Sequence, residues 1–224
     1  MSTEGSAASA QGEVTRTNGE HVFTAVASED VYVGKILALR ADEVVMPGGG
    51  KARREVVEHM GAVAVVAMDE ADQIVLIHQY RYPLDRRLWE LPAGLLDVAG
   101  EDPLRTAQRE LAEEVGLAAE EWSVLADIAS SPGFTDQVER VFLARSLSTV
   151  DRLVPTGDEE ADLVIRWVDL DEAVRMVFAG EIVNAPAVTG ILAAQAVRAG
   201  RAQTRPPQAA WRDRPYRFSS RVDS

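Results

Sequence analysis

The clearest patterning along the chain is a pair of apolar runs, GAVAVVAMD (61–69) and QIVLIHQYRYP (73–83), with Glu70, Ala71 and Asp72 between them. Runs of this length bounded by a polar turn predict two strands. Upstream, HVFTAVASEDVYVGKILALRADEVVMP and KARREVVEHM alternate only partly, which predicts short, half-buried antiparallel strands punctuated by PGGG (47–50). Such a small sheet cannot bury its face alone and needs the main domain or a second subunit to dock on. Downstream, WELPAGLL leads into a helix, WSVLADIAS and RVFLARSL flank the loop SSPGFTDQVE, and DLVIRWVDL (162–170) is a further alternating strand. DLDEAVRMVFAGE and APAVTGILAAQAVRAG carry helical spacing, the second with an Ala-rich apolar face. There is no internal repeat. Strands interspersed with a few helices, without strict βαβ alternation, predict an α+β fold, an α/β/α sandwich on a mixed sheet. The ends differ in character. Residues 1–18 are small and polar and read as disordered. From Arg201 the chain is rich in Arg and Pro and reads as an exposed tail, with Trp211, Tyr216 and Phe218 the residues through which it could dock.

The helix after WELPAGLL carries the candidate chemistry. Asp102 suits the N-cap, Pro103 the first helical position and Gly116 the residue after the last turn. Leu104, Ala107, Leu111 and Val115 make an apolar stripe. Glu110, Glu113 and Glu114 fall at i, i+3 and i+4, on one face, where like charges repel unless neutralised. A hard divalent cation with oxygen ligands is a natural neutraliser. For a bare E-x-x-E-E, a solvated acidic face on an ordinary amphipathic helix is the commoner outcome.

Composition narrows the class. Apolar residues make up 46% of 224, enough for a core, and no cysteine is present, which removes disulfide frameworks and zinc-thiolate sites. No apolar run reaches the roughly 18 residues of a membrane span, and the first twenty residues lack the basic and apolar regions of a secretory signal, so a cytoplasmic location is expected. A net charge of −13 disfavours nucleic acid as a partner. It also repels a free diphosphate, so a phosphate-bearing substrate needs metal ions and local arginines to enter.

The longer pattern around the three glutamates resembles the Nudix box, G-x5-E-x7-R-E-U-x-E-E-x-G-U with U aliphatic. Gly94, Glu101, Arg109, Glu110, Leu111, Glu113, Glu114, Gly116 and Leu117 fill its named positions. The departure is that six residues, one more than usual, separate Gly94 from Glu101. The extra residue falls in the loop before the helix and leaves the carboxylate spacing intact. The resemblance implies a mixed sheet between helices over about residues 58–198. It also implies Mg²⁺ held by Glu110 and Glu114, with Glu113 and the backbone carbonyl of Ala93 as further ligands and Mn²⁺ a possible substitute. Glu101 then orients the box by pairing with Arg109.

Within that family the chain resembles the bacterial ADP-ribose pyrophosphatases of the actinobacterial type, over about residues 20–198. The features that carry this are Arg54-Glu55, Gln79-Tyr80-Arg81, Pro132-Gly133-Phe134 beginning 15 residues past the box, and the stretches WELPAGLLDVAGE and GEIVNAPAV. The likeness implies that Arg54 and Glu55 contact the adenine side of the substrate from a partner subunit, that Arg81 binds phosphate or ribose, and that Leu95 and the Pro132-Gly133-Phe134 loop line the substrate site. Arginine suits the phosphate role because its planar fork bonds two oxygens at once. The acidic loop GDEEAD (157–162) resembles the one that carries the general base, which singles out Glu160, then Glu159, with Glu114 the third candidate catalytic carboxylate. The implied activity is Mg²⁺-dependent hydrolysis of ADP-ribose to AMP and ribose 5-phosphate in a homodimer. The alternatives are another nucleoside diphosphate derivative as substrate, or a non-catalytic ADP-ribose-binding regulator. The implied organisation is a tail (1–18), a β region suited to dimerisation (19–57), the hydrolase domain (58–198) and a C-terminal extension (199–224).

Overall fold

The computed structural model describes residues 19–152 and 162–222. The expected disordered tail at 1–18 lies outside these residues, as do Glu159 and Glu160.

Three sheets build the molecule. The first is an antiparallel meander of β1 (Ala25–Val33), β2 (Leu37–Val45) and β3 (Lys51–His59). The second is mixed. It runs β7 (Ala93–Leu95), β4 (Ala62–Ala67), β9 (Val138–Thr149) and β8 (Leu117–Ala129), with β4 and β9 parallel and the other neighbours antiparallel. The third is antiparallel, β10 (Val164–Asp169), β5 (Gln73–Arg81) and β6 (Arg86–Glu90). The turn between β4 and β5 closes where expected, because Asp69 Oδ1 accepts the backbone N–H groups of Ala71 and Gln73.

Strand β4 explains the continuous apolar run at 61–69. Its residues alternate between two cores, so neither face can be polar. Val63, Val65 and Ala67 pack with Ala107 and Leu111 of α1 (Pro103–Val115). Ala64 and Val66 pack with Ala173 and Met176 of α2 (Leu170–Phe178) and with Ala187, Ile191 and Ala194 of α3 (Ala185–Arg198). Helices therefore cover both sides of the mixed sheet, the expected α/β/α sandwich beside a small antiparallel sheet.

Helix α1 is bounded by the local signals in its sequence. Asp102 caps it by accepting the Leu104 N–H at 2.8 Å, and Gly116 closes it at φ +67, a left-handed conformation that L side chains rarely adopt.

The C-terminal residues depart from the expectation of an exposed tail. Arg205 forms an antiparallel bridge with Val124, exchanging backbone hydrogen bonds of 2.8 and 2.9 Å. Arg140 then reaches back to the carbonyls of Ala209 and Ala210 and lies over the Trp211 ring at 4.7 Å. A last short helix, α4 (Arg217–Val222), lies against β3 and sinks Phe218 completely between Ala38 and Met60. Arg221 pairs with the buried Glu58 and with Asp30. The physical reason is that single large anchors, each meeting a pocket made by distant strands, hold a segment with no apolar periodicity of its own.

Candidate active site

The box helix lies with its acidic side against β7. Glu110 and Glu114 are both buried, whereas Glu113 is about two-fifths exposed along its side chain. The three carboxylates that share one helical face are thus inequivalent once β7 is beside them. Glu114 Oε2 accepts the Ala93 N–H at 2.8 Å. Glu110 lies so close to Gly94 that a Cβ there would sit 2.2 Å from its Cδ, so any larger residue must push the Glu110 side chain aside. Arg109 gathers the remaining negative charge, meeting Glu110 at 2.6 Å, Glu113 at 3.1 Å, Glu101 at 3.4 Å and Asp97 at 3.6 Å. Burial works against the Arg109 charge, but Glu110, Glu101 and Glu113 more than offset it and raise its pKa. Glu101 is itself held by the Thr106 hydroxyl. The extra residue of the box is absorbed in the exposed turn at 97–100, where the Glu101 N–H returns to the Val98 carbonyl, so α1 keeps its place beside β7.

Two buried carboxylates one turn apart are a hard-oxygen donor pair that suits Mg²⁺. Glu113 is turned to Arg109, and among the described residues no group of three or more acidic or histidine side chains converges on a single point. The donor set therefore fits an ion that completes its sphere with water and substrate phosphate, which is how Mg²⁺ usually binds.

Beside this pair a cleft of about 470 Å³ opens between β5, β6, β7 and the N-terminal end of α3. Ala93, Gly94, Leu95 and Arg81 line it. Arg81 grips the buried Glu90 through Nε and one terminal nitrogen at 2.8 and 2.7 Å, which fixes the direction of its guanidinium, and its side chain stays 41% exposed. The other sequence-derived substrate residues do not line this chain's cleft. Arg54 and Glu55 are exposed on β3, and Pro132, Gly133 and Phe134 sit on an exposed loop. That loop is nevertheless tied to the same strand, since the Val57 N–H donates to the Phe134 carbonyl at 2.7 Å and the Asp136 N–H to the Val57 carbonyl.

Sequence reasoning missed two cleft residues, Glu139 and His59. Glu139 opens β9; burial raises its pKa, and hydrogen bonds from Ser130 and Gln137 act against the rise. An adjacent pair of charges, Glu139-Arg140, at the start of an otherwise apolar strand was the available signal. His59 ends β3, and burial lowers its pKa against the opposing pull of Asp136. A single histidine at a strand end gives no signal without the neighbours that the fold brings to it.

A family model described as NUDIX domain matches residues 58–188. An ADP-ribose pyrophosphatase of Mycobacterium tuberculosis is 54% identical over 90% of this chain and 97% of its own length. One from Bacillus subtilis is 36% identical over 80% of this chain and 95% of its own. A solved structure described as an ADP compounds hydrolase superposes with a TM-score of 0.69 at 21% identity, covering 81% of this chain and 98% of that one, a likeness of fold.

Proposed function

Because the chain belongs to the NUDIX family, we propose that it is a pyrophosphohydrolase that splits ADP-ribose into AMP and ribose 5-phosphate. The observation that carries the reading is the buried Glu110–Glu114 pair, seated against Ala93 and Gly94 at the edge of a cleft that also holds Arg81. The kinship with ADP-ribose pyrophosphatases supports the choice of substrate. Members of the family generally depend on a divalent metal; here Mg²⁺, with Mn²⁺ a substitute, would be held by Glu110 and Glu114 with the Ala93 carbonyl, and Glu113, turned to Arg109 in this structure, would join them on leaving that contact. When bound, the ion neutralises phosphoryl oxygens and lowers the pKa of its water.

The residues of the chain divide the remaining work. Arg81, held by Glu90 on the cleft wall, is the residue for a phosphoryl or ribose oxygen. Arg109 holds Glu110 and Glu113 in place and limits their mutual repulsion. Glu160 takes the proton from the attacking water, with Glu159 the next candidate. The water oxygen bonds to one phosphorus, the bond from that phosphorus to the bridging oxygen breaks, and the two monophosphates leave.

The active unit is a homodimer. Every residue of β1 is exposed, including Val26, Val31, Tyr32 and Val33, an apolar edge strand that a second copy would cover. Arg54 and Glu55 are exposed on β3 and do not line their own cleft, which suits a role in the partner's, and Leu95 with the Pro132-Gly133-Phe134 loop completes the substrate site. Full activity in a monomer on dilution overturns this part.

A hydrolysis panel tests the reading as a whole: ADP-ribose, sugar nucleotides, NADH and diadenosine polyphosphates with Mg²⁺ or Mn²⁺, products identified. ADP-ribose should have the highest kcat/KM and yield only AMP and ribose 5-phosphate. A higher kcat/KM for another substrate reassigns the specificity, and no turnover of any of them removes the enzymatic reading.

A further inference from the structure

His59 stands where the N-terminal sheet meets the cleft. It ends β3 opposite Leu37 of β2, three residues before Ala62, whose partner across the mixed sheet is Leu95. Its backbone is pinned from the β8–β9 loop, since its N–H donates to Asp136 Oδ1 at 2.9 Å. Its ring is pinned separately, because the Gly61 N–H donates to Nδ1 at 3.1 Å.

That second contact decides the state of the imidazole. A nitrogen that accepts a backbone N–H carries no proton, so in the neutral ring the proton must be on Nε2. Protonating the ring would set an N–H on Nδ1 against the Gly61 N–H, donor against donor. Burial, which lowers the His59 pKa, acts in the same direction as this geometry. The ring therefore presents a fixed, uncharged N–H donor, and His59 is part of the cleft wall.

Among charged neighbours in a strongly acidic protein, an uncharged donor is suited to an uncharged acceptor. The box carboxylates flank Ala93 and Gly94, which also line the cleft, and Arg81 already supplies a cation. We propose that His59 is a substrate-binding residue whose Nε2–H donates a hydrogen bond to an uncharged oxygen or nitrogen in the part of the substrate that extends from the diphosphate toward the N-terminal sheet. The chemical class is a sugar hydroxyl, a ring oxygen or a base nitrogen. The inference rests on the proposed hydrolysis of ADP-ribose and adds a determinant of its specificity.

Asparagine and glutamine separate the two ring nitrogens. In H59N the side-chain oxygen can replace Nδ1 as acceptor for Gly61 but no donor reaches the cleft, whereas in H59Q the longer amide can place an N–H near the Nε2 position. KM and kcat for ADP-ribose are measured for wild type and both variants, with thermal melts alongside. One neutral hydrogen bond made equally to substrate and transition state should raise KM in H59N by about fivefold to tenfold and leave kcat within about twofold. H59Q should recover most of that loss while melting no higher than H59N. A KM in H59N equal to wild type, or equal damage in both variants, overturns the assignment, the latter pointing to the Gly61 contact as a purely structural one. A wild type that neither binds nor hydrolyses ADP-ribose overturns the functional reading and this inference with it. Normal wild-type turnover with an unaltered H59N overturns His59 alone.

Discussion

Replacing Gly94 by alanine probes the box through a single methyl group. Gly94 is not among the residues of positive φ, so the backbone itself accepts alanine, and the effect must come from contact. The new Cβ would lie 2.2 Å from Glu110 Cδ and 2.3 Å from both Cγ and Oε1. To reach an ordinary contact of about 3.5 Å, the carboxylate must retreat by roughly 1.3 Å. Glu110 is the far end of a flexible side chain, so it moves more readily than β7 does, and the cost to stability should stay near the low end of the roughly 1–3 kcal/mol typical of overpacking. The cost to function should be larger. A displacement of about 1 Å in a positioned group lowers the rate by on the order of 100-fold, and the same movement disturbs the Arg109 contact at 2.6 Å. The assay is steady-state hydrolysis of ADP-ribose across a Mg²⁺ titration, with a thermal melt as control for folding. G94A should need more Mg²⁺ for half-maximal rate and reach a maximum well below wild type while still melting cooperatively. Wild-type activation by Mg²⁺ and wild-type kcat in G94A refute the placement of Glu110 against β7 as the seat of the metal.

Further outcomes test the other parts. E114Q keeps an oxygen able to accept the Ala93 N–H but loses the charge, so turnover should fall by about 100-fold or more with little change in Tm; near wild-type rates remove the metal assignment. E160Q should lower kcat with a smaller effect on KM, since a base acts in the transition state, and a larger defect in E159Q moves the role to that neighbour. F218A empties a fully buried site and should cost about 3–5 kcal/mol, a fall in Tm of at least about 6 °C; an unchanged Tm contradicts the docking of α4. The His59 pKa is lowered in the folded state, so below its unfolded value of 6.5 the unfolded chain binds more protons and stability falls with pH. Asp136, facing it from the β8–β9 loop, has a raised pKa because of burial, and its contribution runs the other way, present at acid pH and lost as pH rises. The Tm advantage of wild type over H59N should therefore shrink between pH 7.5 and 5, and a constant difference removes the neutral-ring argument.

Parts of this molecule were legible in the chain because the interactions that form them are local. The bounds of α1 follow from Asp102, Pro103 and Gly116, each acting within one turn of its own position. The turn between β4 and β5 is closed by Asp69 through groups two and four residues away. The apolar run of β4 announced a strand, and the spacing of the glutamates announced an acidic helical face. The family resemblance read from the box stands with the NUDIX match.

What the chain could not disclose is held by contacts between distant residues. Glu110, Glu113 and Glu114 are alike in sequence, and only β7 against α1 makes two of them buried and leaves the third to Arg109. His59 becomes a defined donor because Gly61 turns back to it and the cleft opens beside it. The C-terminal residues carry no periodicity that predicts burial, yet Arg205 meets Val124 and Phe218 fills a site between β2 and β3. Helix limits and strand faces are settled by hydrogen bonds and side-chain alternation within a few residues. Which carboxylate is buried, which nitrogen carries a proton and where a tail comes to rest depend on surfaces that exist only once the sheets have packed.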